Sequence, residues 1–588
     1  MQGLVCGYLL LLLLLIIVVV TSLAKDNVNM KRQNQNRDLQ VSSSNRPTTL
    51  PRPVRRPTRK PTLKCPSSAS KAEAGIACKY INAINWIECF NVLEVLITSN
   101  DPIPTQIGLL TNLISLSFGN VRGKLPSTIG CLTKLTYLFL SDTQLSGTIP
   151  SSIGSLTKLT YLHLQRSQFI GPIPSSISSL NKLIYLGMAG NQLTGAIPAS
   201  IGSLTKLTYL SLSSNQLKGP IPLSMGSLRL LRHLEMYSNK LKGPIPSTMG
   251  LLKRLSSLVL SSNQLTDSIP SSLESLTRLT RLDVSANFLT GTIPSQIMES
   301  LTKLTYLFLS YNQLSGTIPS SIGVLTELVY LEMTKNQLSG TIPSALDTLR
   351  KLTYLSLSNN QLTGSIPSSI GSLIELRSCD MSKNQLSGSL PLSIGALLKL
   401  TYLSLWTNQL SGTIPLSIGS LTELMSLDIS YNQLSGNLPF SLGSQTQLSY
   451  LSLSSNQLTG TIPSSLGLLT ELTAFYMSLN QLSGTIPSSI GSLSKLVSFS
   501  LSFNALIGGI PSTMGSSLVH FDLSSNLLTG AIPSSIELLT KLTTLSLYEN
   551  ELTGTIPNVL CSSQLIPLID CNEIKCDCCV GIYNEECS

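Results

Sequence analysis

LSYLSLSSNQLTGTIPSSLGLLTE, residues Leu448 to Glu471, decides the fold, because the stretch recurs with small edits from about Leu93 to Leu560. With Asn456 as the marker, the equivalent positions run from Thr143 and Ser167 through Asn191 to Asn550, and fifteen of the seventeen intervals are 24 residues. So strict a period signals a solenoid in which each unit buries its apolar face only by stacking on its neighbours. Within the unit, alternation predicts a strand with Leu451 and Leu453 inward and Tyr450, Ser452 and Ser454 outward. The Asn side chain both donates and accepts, so it can bond the turning backbone of its own and the adjacent coil; stacked, these residues predict an interior ladder. In the following LTGTIP segment the Gly permits a bend and the Pro ends strand pairing. SSLGLL then returns the chain to the core, and a short 3₁₀ turn is expected there on the convex side.

These residues carry a family resemblance. The pattern LxxLxLxxNxLxGxIPxxIGxLxx, matched by Leu207 to Leu228 and by most other turns, resembles the plant-type leucine-rich repeat of receptor-like proteins, receptor-kinase ectodomains and polygalacturonase-inhibiting proteins. The resemblance implies a leucine-rich repeat solenoid with a parallel β-sheet on the concave face, short 3₁₀ or irregular segments on the convex face, and disulfide-stapled caps. A fold hosts many partners, so it implies less about function.

The 588 residues read as one elongated repeat domain with end pieces. Residues 1–24 resemble a secretory signal peptide, with an uncharged apolar run from Gly3 to Val20 and a small-residue cleavage site at Ser22 and Ala24; an uncleaved anchor is the alternative. Residues 25–64 hold +9 of the formal net charge of +10 and are rich in Pro, which predicts a disordered, solvated basic spacer, with contact to anionic surfaces as the alternative. Residues 65–92 are expected to form an N-terminal Cys cap, 93–560 the solenoid and 561–588 a C-terminal Cys-rich cap. The rest of the chain is nearly neutral, which argues against a nucleic-acid partner. There is no second apolar run of spanning length and no room for a kinase domain before Ser588.

Of the twelve Cys, Cys65, Cys78 and Cys89 precede the repeats, and Cys561, Cys571, Cys576, Cys578, Cys579 and Cys587 follow them. Disulfides would close the exposed core edges of the terminal coils in an oxidising compartment, with the pairing left open. Cys131, where other turns carry Ser, is a further disulfide candidate with Cys89 as a possible partner; Cys379 is expected at an outward strand position as a free thiol. Asn85 to Cys89 is similar to the family's C-x-W-x-G-V-x-C cap but lacks its first Cys and its Gly. A metal at Cys576 to Cys579 is disfavoured because the spacing lacks paired C-x₂-C motifs. No Asn-x-Ser/Thr sequon occurs.

The outward column six residues before the marker holds nine of the seventeen Tyr, including Tyr330, Tyr354, Tyr402 and Tyr450. Such rings suit sugars and peptides alike, or else simply pave the sheet. Departures from the template mark a candidate ligand patch on the concave face: Tyr330, Glu332, Tyr354, Asp380, Tyr402, Trp406, Asp428, Tyr431 and Tyr450, with Lys335 beside Tyr330. A second cluster, Arg166, Arg232, His233 and Arg281, has Glu235 and Asp283 interleaved, and neutralisation across adjacent strands is expected. His163, His233 and His520 lie in separate turns, and no catalytic motif is present, so neither enzyme activity nor a metal or cofactor is implied. The expected function is recognition of an extracellular protein, peptide or polysaccharide; the alternative is a structural, adhesive or surface-adsorbing protein, ice-binding included. The one-residue insertion near Met298 and the two-residue deletion near Gly515 should disturb the stacking locally.

Overall fold

The computed structural model describes residues 94–97, 100–556, 567–570 and 574–575. The leader, the basic segment and the cap cysteines other than Cys131 lie outside the described residues.

One short strand per coil builds a 20-stranded parallel sheet running from Glu94–Ile97 to Thr544–Ser546. Register does not slip from coil to coil: Tyr330, Leu331 and Glu332 pair with Tyr354, Leu355 and Ser356, and the same triplets pair throughout. Equivalent residues therefore form columns about 4.8 Å apart. The middle residue of each triplet faces inward and the outer two face the opposite side. In the quoted unit Leu448, Leu451, Leu453, Leu458, Leu466 and Leu469 are fully buried, and one continuous apolar core runs from Ile103 to Ile574.

The Asn ladder forms as the sequence predicts. Asn456 Nδ2 donates to the carbonyls of Ile429 and Leu453, both at 3.1 Å, and the Leu434 amide donates to its Oδ1 at 3.0 Å. Each Asn thus ties backbone groups of two adjacent coils that no strand pairing reaches. At the two early coils with hydroxyls instead, Thr143 and Ser167 bond each other at 2.8 Å.

The convex side carries 3₁₀ segments, such as Ser464–Leu468, each preceded by Pro. The LTGTIP segment differs from expectation. It does bend at Gly460 (φ +72°), but it also pairs with its neighbours, so a second set of strands stands beside the main sheet: seven from Arg122–Lys124 to Gln264–Thr266, and twelve from Ser315–Thr317 to Ile574–Lys575. The left-handed Gly turns the chain without removing its amide from pairing, and the Pro lies beyond the paired residues.

The interruption between these two sets falls at the irregular coils. Asp267 (φ +64°) takes the Gly position, and the inserted residue turns the next convex segment into an α-helix, α1 (Ser295–Ser300). Only isolated bridges, Ser268 to Thr290 and Thr292 to Ser315, remain there. The main sheet passes through unbroken, with Arg281 paired to Tyr306. The deletion likewise removes the 3₁₀ turn over 511–516, while Ser498 still pairs with His520. The expected disturbance is thus confined to the convex and lateral sides.

Cys379 corrects the sequence reading. It is the middle residue of Ser378–Asp380, the inward position that Leu occupies elsewhere, and it is 2% exposed. It is a free thiol, as expected, and burial pushes its pKa up to about 12. Cys131 is disulfide-bonded, with its partner outside the described residues. No helix among the described residues is long and apolar enough to cross a membrane.

Candidate functional site

The outward residues of the main sheet form two columns, six and four residues before the ladder position, and rings in adjacent coils meet where strand spacing brings them within stacking range. Tyr330 and Tyr354 stack with centroids 4.0 Å apart and planes 3° off parallel. Phe308 lies 4.9 Å from Tyr330, and the Arg281 guanidinium sits 4.8 Å over Phe308. Glu332 shares the Tyr330 strand and is partly covered, and burial raises its carboxyl pKa. Burial raises both phenols as well. Tyr330, Glu332 and Tyr354 are thus brought together as one rigid aromatic platform with a carboxyl at its edge.

The next coils continue the face with a different texture. From Tyr354 onward the column alternates Tyr with Ser: Ser378, Tyr402, Ser426, Tyr450. Tyrosines two strands apart cannot stack, so Tyr402 and Tyr450 do not meet each other; Tyr450 instead meets Tyr476 of the next coil edge-on at 6.0 Å, and Asp380 and Asp428 lie in the neighbouring column. The two Asp flank Ser404 in register, about 10 Å apart. Each is already engaged: Asp428 Oδ1 accepts from the Ser430 amide at 3.1 Å and the Ser430 hydroxyl at 2.6 Å, and Asp380 does the same with Ser382. The Asp-x-Ser spacing thus gives these carboxylates a structural duty and leaves Oδ2 outside those bonds. Burial raises Asp428 above the usual carboxylate range, against the pull of the Ser430 bonds.

Trp406 and Tyr431 do not join the ring column. They lie past the strand, two and one residues before the ladder Asn, at the far edge of the face. The Lys383 ammonium sits 4.5 Å from the Trp406 ring centroid, and Lys335 covers Tyr311 in the same manner at 4.6 Å. Lys335, read from sequence as a neighbour of Tyr330, therefore belongs to this edge.

A second aromatic run lies in the part of the Tyr column that the sequence reading left outside the candidate patch. Tyr185 and Tyr209 stack at 4.5 Å, His163 lies 4.2 Å from Tyr185, and Tyr137, Phe139 and Tyr161 extend the cluster towards the N-terminus. Four of the nine column Tyr, Tyr137, Tyr161, Tyr185 and Tyr209, fall here in consecutive coils. The charged cluster also differs from expectation: Arg166 pairs with Asp142 at 2.6 Å, Arg281 with Asp283 on its own strand at 3.3 Å, and Glu235 accepts from the Tyr209 hydroxyl at 3.0 Å. Arg166 is thus matched across neighbouring coils, though by Asp142 rather than by the interleaved Glu235 or Asp283, and Arg281 is matched along its own strand.

Comparisons with known proteins agree with this architecture. Family models match as a leucine-rich repeat region over 127–220, as leucine rich repeats over 277–338, and as single leucine rich repeats at nine further segments between 254 and 563. A comparison with curated protein sequences returns no match. Among solved structures, the plant peptide hormone receptor RGFR1 in complex with RGF2 is 36% identical with a TM-score of 0.74, covering 81% of each chain. The ectodomain of the Arabidopsis thaliana receptor kinase GASSHO1/SCHENGEN3, in complex with CASPARIAN STRIP INTEGRITY FACTOR 2, is 34% identical with a TM-score of 0.73, over 83% of this chain and 62% of that one. The Arabidopsis receptor kinase HAESA, in complex with the peptide hormone IDA and the co-receptor SERK1, is 32% identical with a TM-score of 0.68, over 85% and 84%. The chain belongs to the plant-type leucine-rich repeat proteins.

Proposed function

We propose that the protein is an extracellular recognition protein that binds a peptide or protein along its concave face, with the leader over 1–24 directing secretion and disulfides stapling the caps. The observation that carries this reading is the concave face from Tyr330 to Tyr450, in which a stacked aromatic platform is followed by rings that alternate with Ser and by carboxylates in the neighbouring column. A rigid aromatic surface buries partner area with little side-chain ordering. Two of the similar solved structures, a peptide hormone receptor with its ligand and a receptor kinase with a peptide hormone, support a peptide as the partner. The reading assigns binding rather than catalysis, because the carboxylates along the face are spaced apart and engaged by Ser.

The test is an array of extracellular peptides, proteins and glycans probed with the full chain beside the Tyr330→Ala/Tyr354→Ala and Tyr402→Ala/Trp406→Ala variants. One strong ligand whose affinity falls at least tenfold in either variant supports recognition at this face. Broad, weak adsorption that both variants retain would overturn it in favour of a structural, surface-adsorbing role.

A further inference from the structure

The run Tyr137, Tyr161, Tyr185 and Tyr209 lies outside the candidate ligand patch, and recognition at that patch leaves it without a role. Its spacing is uneven. Tyr137 and Tyr161 are tilted by 48° with centroids 6.0 Å apart, and Tyr161 and Tyr185 lie 6.4 Å apart. Of the four, only Tyr185 and Tyr209 meet face to face, at 4.5 Å and 3° off parallel. His163, on the strand at the other side of Tyr185, stacks on it at 4.2 Å, so the Tyr185 ring is held from both sides.

The hydroxyls also differ. Tyr209 donates to Glu235 Oε2 at 3.0 Å, one coil further on, whereas the Tyr185 hydroxyl donates to Gln165 Oε1 at 3.5 Å. Tyr330 and Tyr354 stack as closely, at 4.0 Å and 3°, but among the described residues no carboxylate accepts a hydrogen bond from either of their hydroxyls. Tyr185 and Tyr209 thus combine a stacked phenol partner with a carboxylate aimed at one O–H. A phenol gives up an electron readily only when its proton has an acceptor, and Glu235 is placed as that acceptor. The radical left behind carries spin on the ring carbons ortho to the oxygen, which parallel stacking sets over the neighbouring ring. Paired strands about 4.8 Å apart hold the two rings together, so neither has to find its partner by diffusion.

We propose that Tyr185 and Tyr209 are a site of oxidative cross-linking, where a haem peroxidase using hydrogen peroxide joins them by a carbon–carbon bond and so staples two coils. Each phenol loses one electron and its hydroxyl proton, that of Tyr209 passing to Glu235. The two radicals pair to form one bond between ortho carbons. Each of those carbons then releases its hydrogen as a proton while its oxygen regains one, which restores both phenols. In sum two electrons and two protons leave the protein, and one hydrogen peroxide takes them up to become two waters. Tyr161, 40% exposed, is the ring of the run most open to a bulky oxidant, and an electron taken from it is replaced from Tyr185.

The test treats the dilute full chain with hydrogen peroxide and a haem peroxidase at neutral pH, and reads cross-linked peptides by mass spectrometry beside biphenol fluorescence. The expected product is intramolecular and lighter by two hydrogen atoms, joins Tyr185 to Tyr209, and appears before any Tyr330–Tyr354 product. Tyr209→Phe should abolish it. Glu235→Gln, which keeps a hydrogen-bond acceptor but loses the base, should slow its appearance by about tenfold or more. The proposal is overturned by cross-links that join chains rather than coils, by a Tyr161–Tyr185 product in equal yield, or by oxygen addition to the rings without coupling. It is likewise overturned if Tyr330–Tyr354 couples first or if Glu235→Gln couples at the wild-type rate. The assay contains no ligand, so its failure leaves recognition at the concave patch untouched.

Discussion

Replacing Asn432 with Ala tests the ladder beneath the candidate face. Asn432 Nδ2 donates to the carbonyls of Leu405, Ile429 and Ser430 at 3.0, 3.1 and 3.1 Å, and the Leu410 amide donates to its Oδ1 at 3.0 Å. These losses are unequal. The Leu405 carbonyl keeps a bond from Asn408, that of Ile429 keeps one from Asn456, and that of Ser430 keeps one from the Thr407 amide. The Leu410 amide is left buried without an acceptor, which costs about 1–3 kcal/mol, and the three shared bonds add a fraction of about 1 kcal/mol each. The expected loss is therefore about 3 kcal/mol, confined to the coils on either side because repeat stability is a sum of neighbour terms. Native-state hydrogen exchange read by mass spectrometry over residues 401–456 measures it without assuming a two-state transition. Asn432→Asp sharpens the test, since it keeps the acceptor for Leu410 but turns an anion towards three carbonyl oxygens. Its folded-state pKa would be raised, so the variant should come nearest to wild type in acid and lose stability as pH rises through the carboxylate range. A loss below about 1 kcal/mol for Ala, or an Asp variant indifferent to pH, would refute the ladder as a main source of coil-to-coil stability.

Asp428, whose pKa burial raises, opposes folding when ionised. That cost is present above its folded pKa and disappears below the unfolded value, so Asp428→Asn should stabilise the protein at neutral pH by a margin that vanishes in acid, measured by urea denaturation across pH. Cys379, with its thiol pKa pushed up to about 12, should resist alkylation in the native protein at mildly alkaline pH and react only once its coil opens, as peptide mass spectrometry would show. Leu479 holds φ +56°, and its replacement by Asn or Gly should raise stability by about 1 kcal/mol, since the left-handed region penalises a Cβ-bearing aliphatic residue. Ser167→Asn should extend the ladder by one rung, giving the Leu145 amide a better acceptor than its present 3.4 Å contact with Thr143 Oγ1, and should slow exchange at Leu145 severalfold.

The fold was legible because every coil repeats the same answer to the same packing problem. Leu451, Leu453 and Asn456 are buried for reasons visible in any single unit, and the period does the rest. What escaped sequence reading has specific causes. The second sheet was hidden because a left-handed Gly bends a chain without withdrawing its amide from pairing, and Gly and Pro were read together as ending the strand. The left-handed residue before each ladder Asn was hidden because Ser455, Thr407 and Tyr431 share no chemistry that announces it. Cys379 was misplaced by one residue, and with a period of two a one-residue error exchanges the two faces of a strand.

The candidate site was only partly legible, and repetition is again the reason. A column of identical Tyr shows that rings share a face, but whether they stack depends on whether they fall in consecutive coils. Tyr330 and Tyr354 do, and Tyr402 and Tyr450 do not. The Asp residues looked like ligand groups because they break the template, yet Asp380 and Asp428 each bring a Ser two residues later that occupies one oxygen. A departure from the repeat therefore carries functional weight only after its internal partners have been subtracted.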